Sequence, residues 1–169
     1  DTISTLAGAL AAAKLHYPVV HIEAGLRSFN KLMPEELNRI MSDHSSTLLF
    51  APTNAAFKNL IREGFRPENS PPYTIDNPKI YLTGDIMYDN TLFFAELAEK
   101  KKASLISDLG VERDNFILAT IHREANTDDV SRLEVILKTL SILAEEYSVK
   151  FVMPLHPRTT NSLKINLKT

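Results

Sequence analysis

Five short apolar runs, each too brief for a stable helix, alternate along this chain with longer segments whose apolar residues recur at helical spacing. The runs are Pro18 to Glu23 (PVVHIE), Thr47 to Ala51 (TLLFA), Lys79 to Thr83 (KIYLT), Asn115 to Ile121 (NFILATI) and Lys150 to Leu155 (KFVMPL). They are rich in β-branched and aromatic residues, and Pro52 stops the second while Gly84 follows the third. Strand and helix in steady alternation predict an α/β fold, with parallel sheets joined by right-handed crossovers and flanked by helices.

The intervening segments carry helix signals. Thr2 to Leu15 places Ile3, Leu6, Ala7, Leu10 and Ala13 near helical spacing, with Asp1 or Thr2 as the cap. Opening on such a helix leads us to expect an upstream strand. Pro34 suits the first position of a second helix, which runs to about residue 44. Thr53 caps a third helix bearing Phe57, Leu60 and Ile61, and Gly64 fits the position just past its end, before Phe65. Residues 66–78 read as a proline- and asparagine-rich loop. A helix follows Gly84 and Asp85 to about Lys100, its Lys100 to Lys102 end being a solvated, dipole-matched terminus. Asn126 to Asp128 are expected to cap a long helix striped by Leu133, Ile136, Leu137 and Leu140.

One stretch concentrates the chemistry. The first apolar run ends on a carboxylate, Glu23; small Ala24 and Gly25 let the chain turn, and a loop with Arg27, Ser28 and Asn30 leads to Pro34, Glu35 and Glu36. Ligands of parallel α/β sheets sit beyond the carboxyl ends of strands and at helix N-termini, which is where Glu23 and Glu35 fall. Acids in a first helical turn also complement the helix dipole, so Glu35 and Glu36 admit a capping role as well. Burying the Glu23 carboxylate at a strand end costs several kcal/mol, about what a partner or a function must offset. His21, inside the run, reads as a hydrogen-bonded core histidine, and His44 as a residue interacting with the dipole of its helix end.

Composition removes several classes. A net charge of −2 leaves no polybasic footprint for nucleic acid or an anionic membrane. The longest apolar stretch, Leu6 to Ala13, is far below the roughly 18 residues of a membrane span. With no cysteine there is no thiol nucleophile or thiolate metal site, which agrees with a cytoplasmic location. The five glycines, at 8, 25, 64, 84 and 110, form neither a dinucleotide fingerprint nor a P-loop. The histidines and carboxylates lack metal-ligand spacing, so no metal is expected.

HIEAGLRS (21–28) followed by MPEELNRIMSDH (33–44) resembles the non-hydrolysing UDP-N-acetylglucosamine 2-epimerase family, with its strand H-[IV]-E-A-G-L-R and helix P-E-E-x-N-R. Asp1-Thr2 is similar to the end of the family's G-D-T turn, Thr120 to Arg123 to its T-x-H-R, and Pro154 to Thr159 to a variant of a later strand-end motif. The resemblance spans nearly the whole chain. It implies two Rossmann-like domains in a GT-B-like arrangement. Residues 1–98 would be the second half of the N-terminal domain and 103–169 the beginning of the C-terminal one, joined by the charged stretch near Glu99 to Leu109. The first strands and most of the second domain would lie outside this chain.

The resemblance also implies a reaction: interconversion of UDP-GlcNAc and UDP-ManNAc, by elimination and re-addition of UDP through a 2-acetamidoglucal, for cell-surface polysaccharide precursors. Such a route needs neither NAD nor metal, so no cofactor is expected. Asp1, Glu23 and Glu35 match the family's essential acids and His122 its essential histidine. Glu23 and Glu35 would be acid/base groups near the sugar, Asp1 would support proton transfer at C2, and His122 would contact or protonate the departing pyrophosphate. Arg39 could steady Glu35 or Glu23, and Arg123 and Arg158 could meet phosphate, while His156 could touch substrate or simply pack. Substrate contacts are thus expected from Asp1, Glu23, Arg39, His122 and Arg123. A homodimer is expected, with no nucleic-acid or membrane partner.

Some positions depart from the commoner family pattern. His122-Arg123-Glu124-Ala125-Asn126 stands where many members read H-R-R-E-N. Ser28 to Asn30, Met33 and Asn126 to Asp129 are closer to the branch acting on UDP-2,3-diacetamido-glucuronic acid. That epimerase, a GT-B glycosyltransferase using one general base, and a non-catalytic UDP-sugar-binding fragment are the alternative readings.

Overall fold

The computed structural model of the protein describes residues 2–101, 104–112, 115–121, 123–155, 157, 159 and 160. The chain divides into two compact units, Asp1–Leu97 and Ala98–Thr169.

In the first unit, α1 (Ile3–Lys14) starts at Thr2, whose hydroxyl accepts from the Thr5 amide. Then follow β1 (Val20–Ile22), α2 (Pro34–His44), β2 (Leu48–Ala51), α3 (Asn54–Arg62), β3 (Lys79–Leu82) and α4 (Ile86–Lys101), the last of which continues past Leu97. The three strands form one parallel sheet in the order β1-β2-β3, with Leu48 paired to Val20 on one side and to Lys79 on the other. Pairing extends past the strand ends: the Val19 carbonyl accepts from the Thr47 and Leu48 amides, and Thr83 donates to Ala51.

The core of this unit is Ala24, Leu49, Ala51, Ala56, Leu60, Phe65 and Ile80, from the central strand, the faces of α3 and β3, and the turn after β1. Thr53 caps α3 by accepting from the Ala56 amide. Gly64, at φ +98°, reverses the chain beyond α3 so that Phe65 folds back, its amide donating to Leu60. The loop at 66–78 is held by amide and ammonium donors: Asn77 to the Ser70 and Pro72 carbonyls, and Lys79 to those of Pro67 and Asn69.

The second unit contains α5 (Leu105–Asp108), β4 (Phe116–Leu118), α6 (Glu124–Thr127), α7 (Val130–Glu146) and β5 (Lys150–Val152), with β4 and β5 parallel. The cap of the long helix differs from the expectation. Residues 124–127 form the short helix α6, so α7 must start afresh, and Asp129 rather than Asn126 to Asp128 caps it, accepting from the Arg132 amide and the Ser131 hydroxyl. Among the described residues no helix is long and apolar enough to cross a membrane.

Candidate active site

The end of β1 departs from ordinary backbone. Glu23 adopts φ +66°, the left-handed region that a side chain with a Cβ rarely occupies. The next amide, Ala24, still donates to the Phe50 carbonyl at 3.0 Å, so the turn is anchored to the central strand as it leaves the sheet. Such strain at a strand end persists only where surrounding contacts over-determine it, and it clusters at functional sites.

Those contacts come from α2 and α3. Gly25, at φ +80°, lies so close to α3 that an added Cβ would run into the Ala56 carbonyl oxygen and the Leu60 side chain. Its amide donates to Asp43 Oδ2 at 3.0 Å and its carbonyl accepts from Asn59 Nδ2 at 3.1 Å. Asp43 gathers two further partners, His21 Nδ1 at 2.6 Å on Oδ1 and Arg27 Nη2 at 2.7 Å on Oδ2. Arg27 grips Glu63 through Nε and Nη2, both at 2.7 Å, in the fork geometry of a bidentate pair. His44 Nε2 completes the chain 3.2 Å from Glu63 Oε2. His21, Asp43, Arg27, Glu63 and His44 therefore form one continuous polar network beneath the strand end.

Burial would lower the Arg27 pKa, but its bonds and charge interactions with Glu63 and Asp43 outweigh that and raise it. Arg27 in turn holds the Glu63 carboxyl below its ordinary range, against a smaller opposing effect of burial and with help from His44.

Neighbouring acids at the start of α2 have different environments. Glu35 is exposed, whereas Glu36 is only 2% exposed and accepts from the Ser28 amide at 2.7 Å, the Ser28 hydroxyl at 2.9 Å and the Phe29 amide at 3.0 Å. Burial raises the Glu36 pKa, yet those three bonds, with Arg27 nearby, bring it below the usual carboxylate value. Glu36 is thus more than a cap: it clamps the loop that carries Ser28 and Phe29 to the helix that carries Glu35.

Glu23 and Arg39 line one cavity of about 160 Å³, together with Thr5, His21, Ile22 and Leu26. Wider cavities of about 440 and 610 Å³ gather around His44 and Glu63. In the smallest of these three, a carboxylate on left-handed backbone, Glu23, shares the lining with a guanidinium, Arg39. Asp1, His122, His156 and Arg158 lie outside the described residues. Arg123 is exposed in the second unit, its carbonyl accepting from the Asn126 amide and the Thr127 hydroxyl. Among the described residues no group of three or more His, Asp or Glu could hold a metal ion.

His21 is the hydrogen-bonded buried histidine that the sequence led us to expect, whereas Asp43, Glu63 and the clamping role of Glu36 were not foreseen. The available signal was spacing: Glu36 and Asp43 are seven residues apart and so share one face of α2.

The family model for UDP-N-acetylglucosamine 2-epimerase matches residues 1–169. The chain is 50% identical over 160 residues to the UDP-2,3-diacetamido-2,3-dideoxy-D-glucuronate 2-epimerase of Pseudomonas aeruginosa, covering 94% of this chain and 41% of that protein. It is 41% identical over 166 residues to the UDP-N-acetylglucosamine 2-epimerase of Methanocaldococcus jannaschii, covering 97% of this chain and 42% of the relative. The crystal structure of the M. jannaschii protein in complex with UDP-GlcNAc and UDP superposes with a TM-score of 0.82 at 40% identity, over 99% of this chain and 43% of that one. The chain spans about two fifths of the length of these relatives.

Proposed function

This chain belongs to the UDP-N-acetylglucosamine 2-epimerase family, and on that premise we propose that it forms part of the active site of a UDP-sugar 2-epimerase. The observation that carries the reading is Glu23: an acid held in left-handed backbone at the carboxyl end of a parallel strand, facing a cavity with Arg39.

The C2 hydrogen of such a sugar has no adjacent carbonyl to activate it. Elimination solves this. As a carboxylate takes the C2 proton, the C–H electron pair becomes the C1=C2 bond and the C1–O bond to UDP breaks. UDP then adds back after protonation of C2 from the opposite face. Acid/base groups must therefore stand on both faces of the ring, in opposite protonation states. Glu23 and Glu35 are the proposed pair, with Asp1 supporting proton transfer, Arg39 and Arg123 contacting substrate, and His122 at the departing pyrophosphate. Residues 1–98 would be the second half of an N-terminal Rossmann-like domain and 103–169 the beginning of a C-terminal one. The whole protein is proposed to act as a cytoplasmic homodimer.

A second substrate is favoured by one observation, the 50% identity to the diacetamido-glucuronate epimerase. Proton NMR of the intact protein carrying this sequence, in D2O with each UDP-sugar in turn, tests both. Deuterium entering C2 with the manno-configured product, abolished by Glu23→Gln, is expected with one of the two sugars. A stable protein showing neither exchange nor product with either overturns the epimerase reading.

A further inference from the structure

Epimerisation through two acids leaves a problem at the end of each turnover. The acid that took the C2 proton is protonated, the acid that gave one is ionised, and both must return to their starting states before another molecule can react in the same direction. A carboxyl group enclosed with substrate needs a titratable neighbour to exchange that proton with solvent.

The cavity that Glu23 lines contains such a neighbour. His21 lies in β1 and Glu23 in the turn just past its end, and both line the cavity. Its volume of about 160 Å³ is well beyond what one bridging water requires. The other edge of the imidazole is fixed. Asp43 Oδ2 accepts from the Gly25 amide and the Arg27 guanidinium, leaving Oδ1 to accept from His21 Nδ1 at 2.6 Å. An acceptor-only carboxylate there requires the hydrogen on Nδ1, which frees Nε2 to take or give a proton.

We propose that His21, oriented by Asp43, is the proton relay that resets Glu23 between turnovers. The inference rests on the epimerase reading above. In the resetting step the Glu23 O–H bond breaks and a bond forms from the proton to His21 Nε2, directly or through one water. The imidazolium keeps its Nδ1 hydrogen on Asp43 and releases the Nε2 proton to solvent. If Glu23 is instead the acid that donates, the same atoms run in reverse. His21 acts through Glu23 and needs no contact with the sugar, so it is a positioning and relay residue.

His21→Asn is the discriminating variant, because the asparagine amide can still donate to Asp43 while no group replaces Nε2. In the intact protein, kcat is expected to fall by about tenfold or more with KM little changed. Imidazole added to the assay should then restore much of the lost rate, which a purely structural defect would not allow. His21→Gln should show the same loss. Should either variant fail to fold, nitrogen-15 NMR of the wild-type histidines decides: the Nδ1–H tautomer at His21 supports the relay and the Nε2–H tautomer overturns it. A folded His21→Asn protein with wild-type kcat, or a loss that imidazole leaves unchanged, also overturns it. If the wild-type protein epimerises neither sugar, the functional reading fails and the relay falls with it; activity in the wild type separates the two failures.

Discussion

Arg27 Nη2 lies 2.7 Å from Asp43 Oδ2, and neither side chain is more than 1% exposed. A buried pair of this kind contributes less than its Coulomb attraction suggests, because both charges were first removed from water. Its loss is still severe, since one charge would be left behind. Arg27→Met is expected to destabilise the protein by about 3–5 kcal/mol, measured by urea unfolding. Arg27→Lys should recover only part of this, as an ammonium cannot span Asp43 and both Glu63 oxygens.

Glu35 and Glu36 should separate chemistry from stability. Glu36→Gln presents an amide to three donors and should cost about 1–3 kcal/mol in urea unfolding. Glu35→Gln, at an exposed position, should change stability by less than about 0.5 kcal/mol while abolishing sugar turnover in the NMR assay. A Glu35→Gln protein that epimerises at the wild-type rate would remove Glu35 from the mechanism.

Acid should loosen this corner of the fold. Glu36 and Glu63 both have folded-state pKa values below their ordinary 4.5. A depressed pKa means that the stabilisation is complete above the unfolded value and is lost as pH falls through the folded one. Unfolding midpoints should therefore hold steady down to about 4.5 and then decline. Glu36→Gln should remove part of that decline, and an unchanged slope in the variant would argue against its contribution.

Gly25→Ala is expected to cost about 2–5 kcal/mol, combining left-handed strain with overpacking against the Ala56 carbonyl. Thermal unfolding followed by circular dichroism measures it. Gly64→Ala is the control, since Gly64 shares the positive φ but has open space where its Cβ would stand, leaving only the strain.

The elements were legible where the signals are local. Thr2 and Thr53 through their side-chain hydroxyls, and Pro34 and Gly64 through their backbones, each mark a helix end, and the structure uses all four in those places. The cap of α7 misled because Asn126 to Asp128 and Asp129 offer the same chemistry, and only the preceding turn of helix decides among them. Asp43 was illegible for another reason. Its partners His21, Gly25 and Arg27 are 16 or more residues away in sequence, so that a polar Ser-Asp-His triplet at a helix end hides two buried side chains, Ser42 and Asp43, beside an exposed one. Glu23 was found by its place at a strand end, whereas its backbone strain needed coordinates to be seen.

With Glu23 as the proposed acid, that strain sets two selective pressures against each other at a single position. Glycine would relax the left-handed turn, so Glu23→Gly should raise the unfolding free energy by about 1 kcal/mol even as it removes the acid. Other replacements with a Cβ inherit the conformational penalty without the carboxylate. A library sorted for thermostability alone would therefore drift toward glycine here and discard turnover, whereas one sorted for turnover would retain a residue that the fold by itself disfavours.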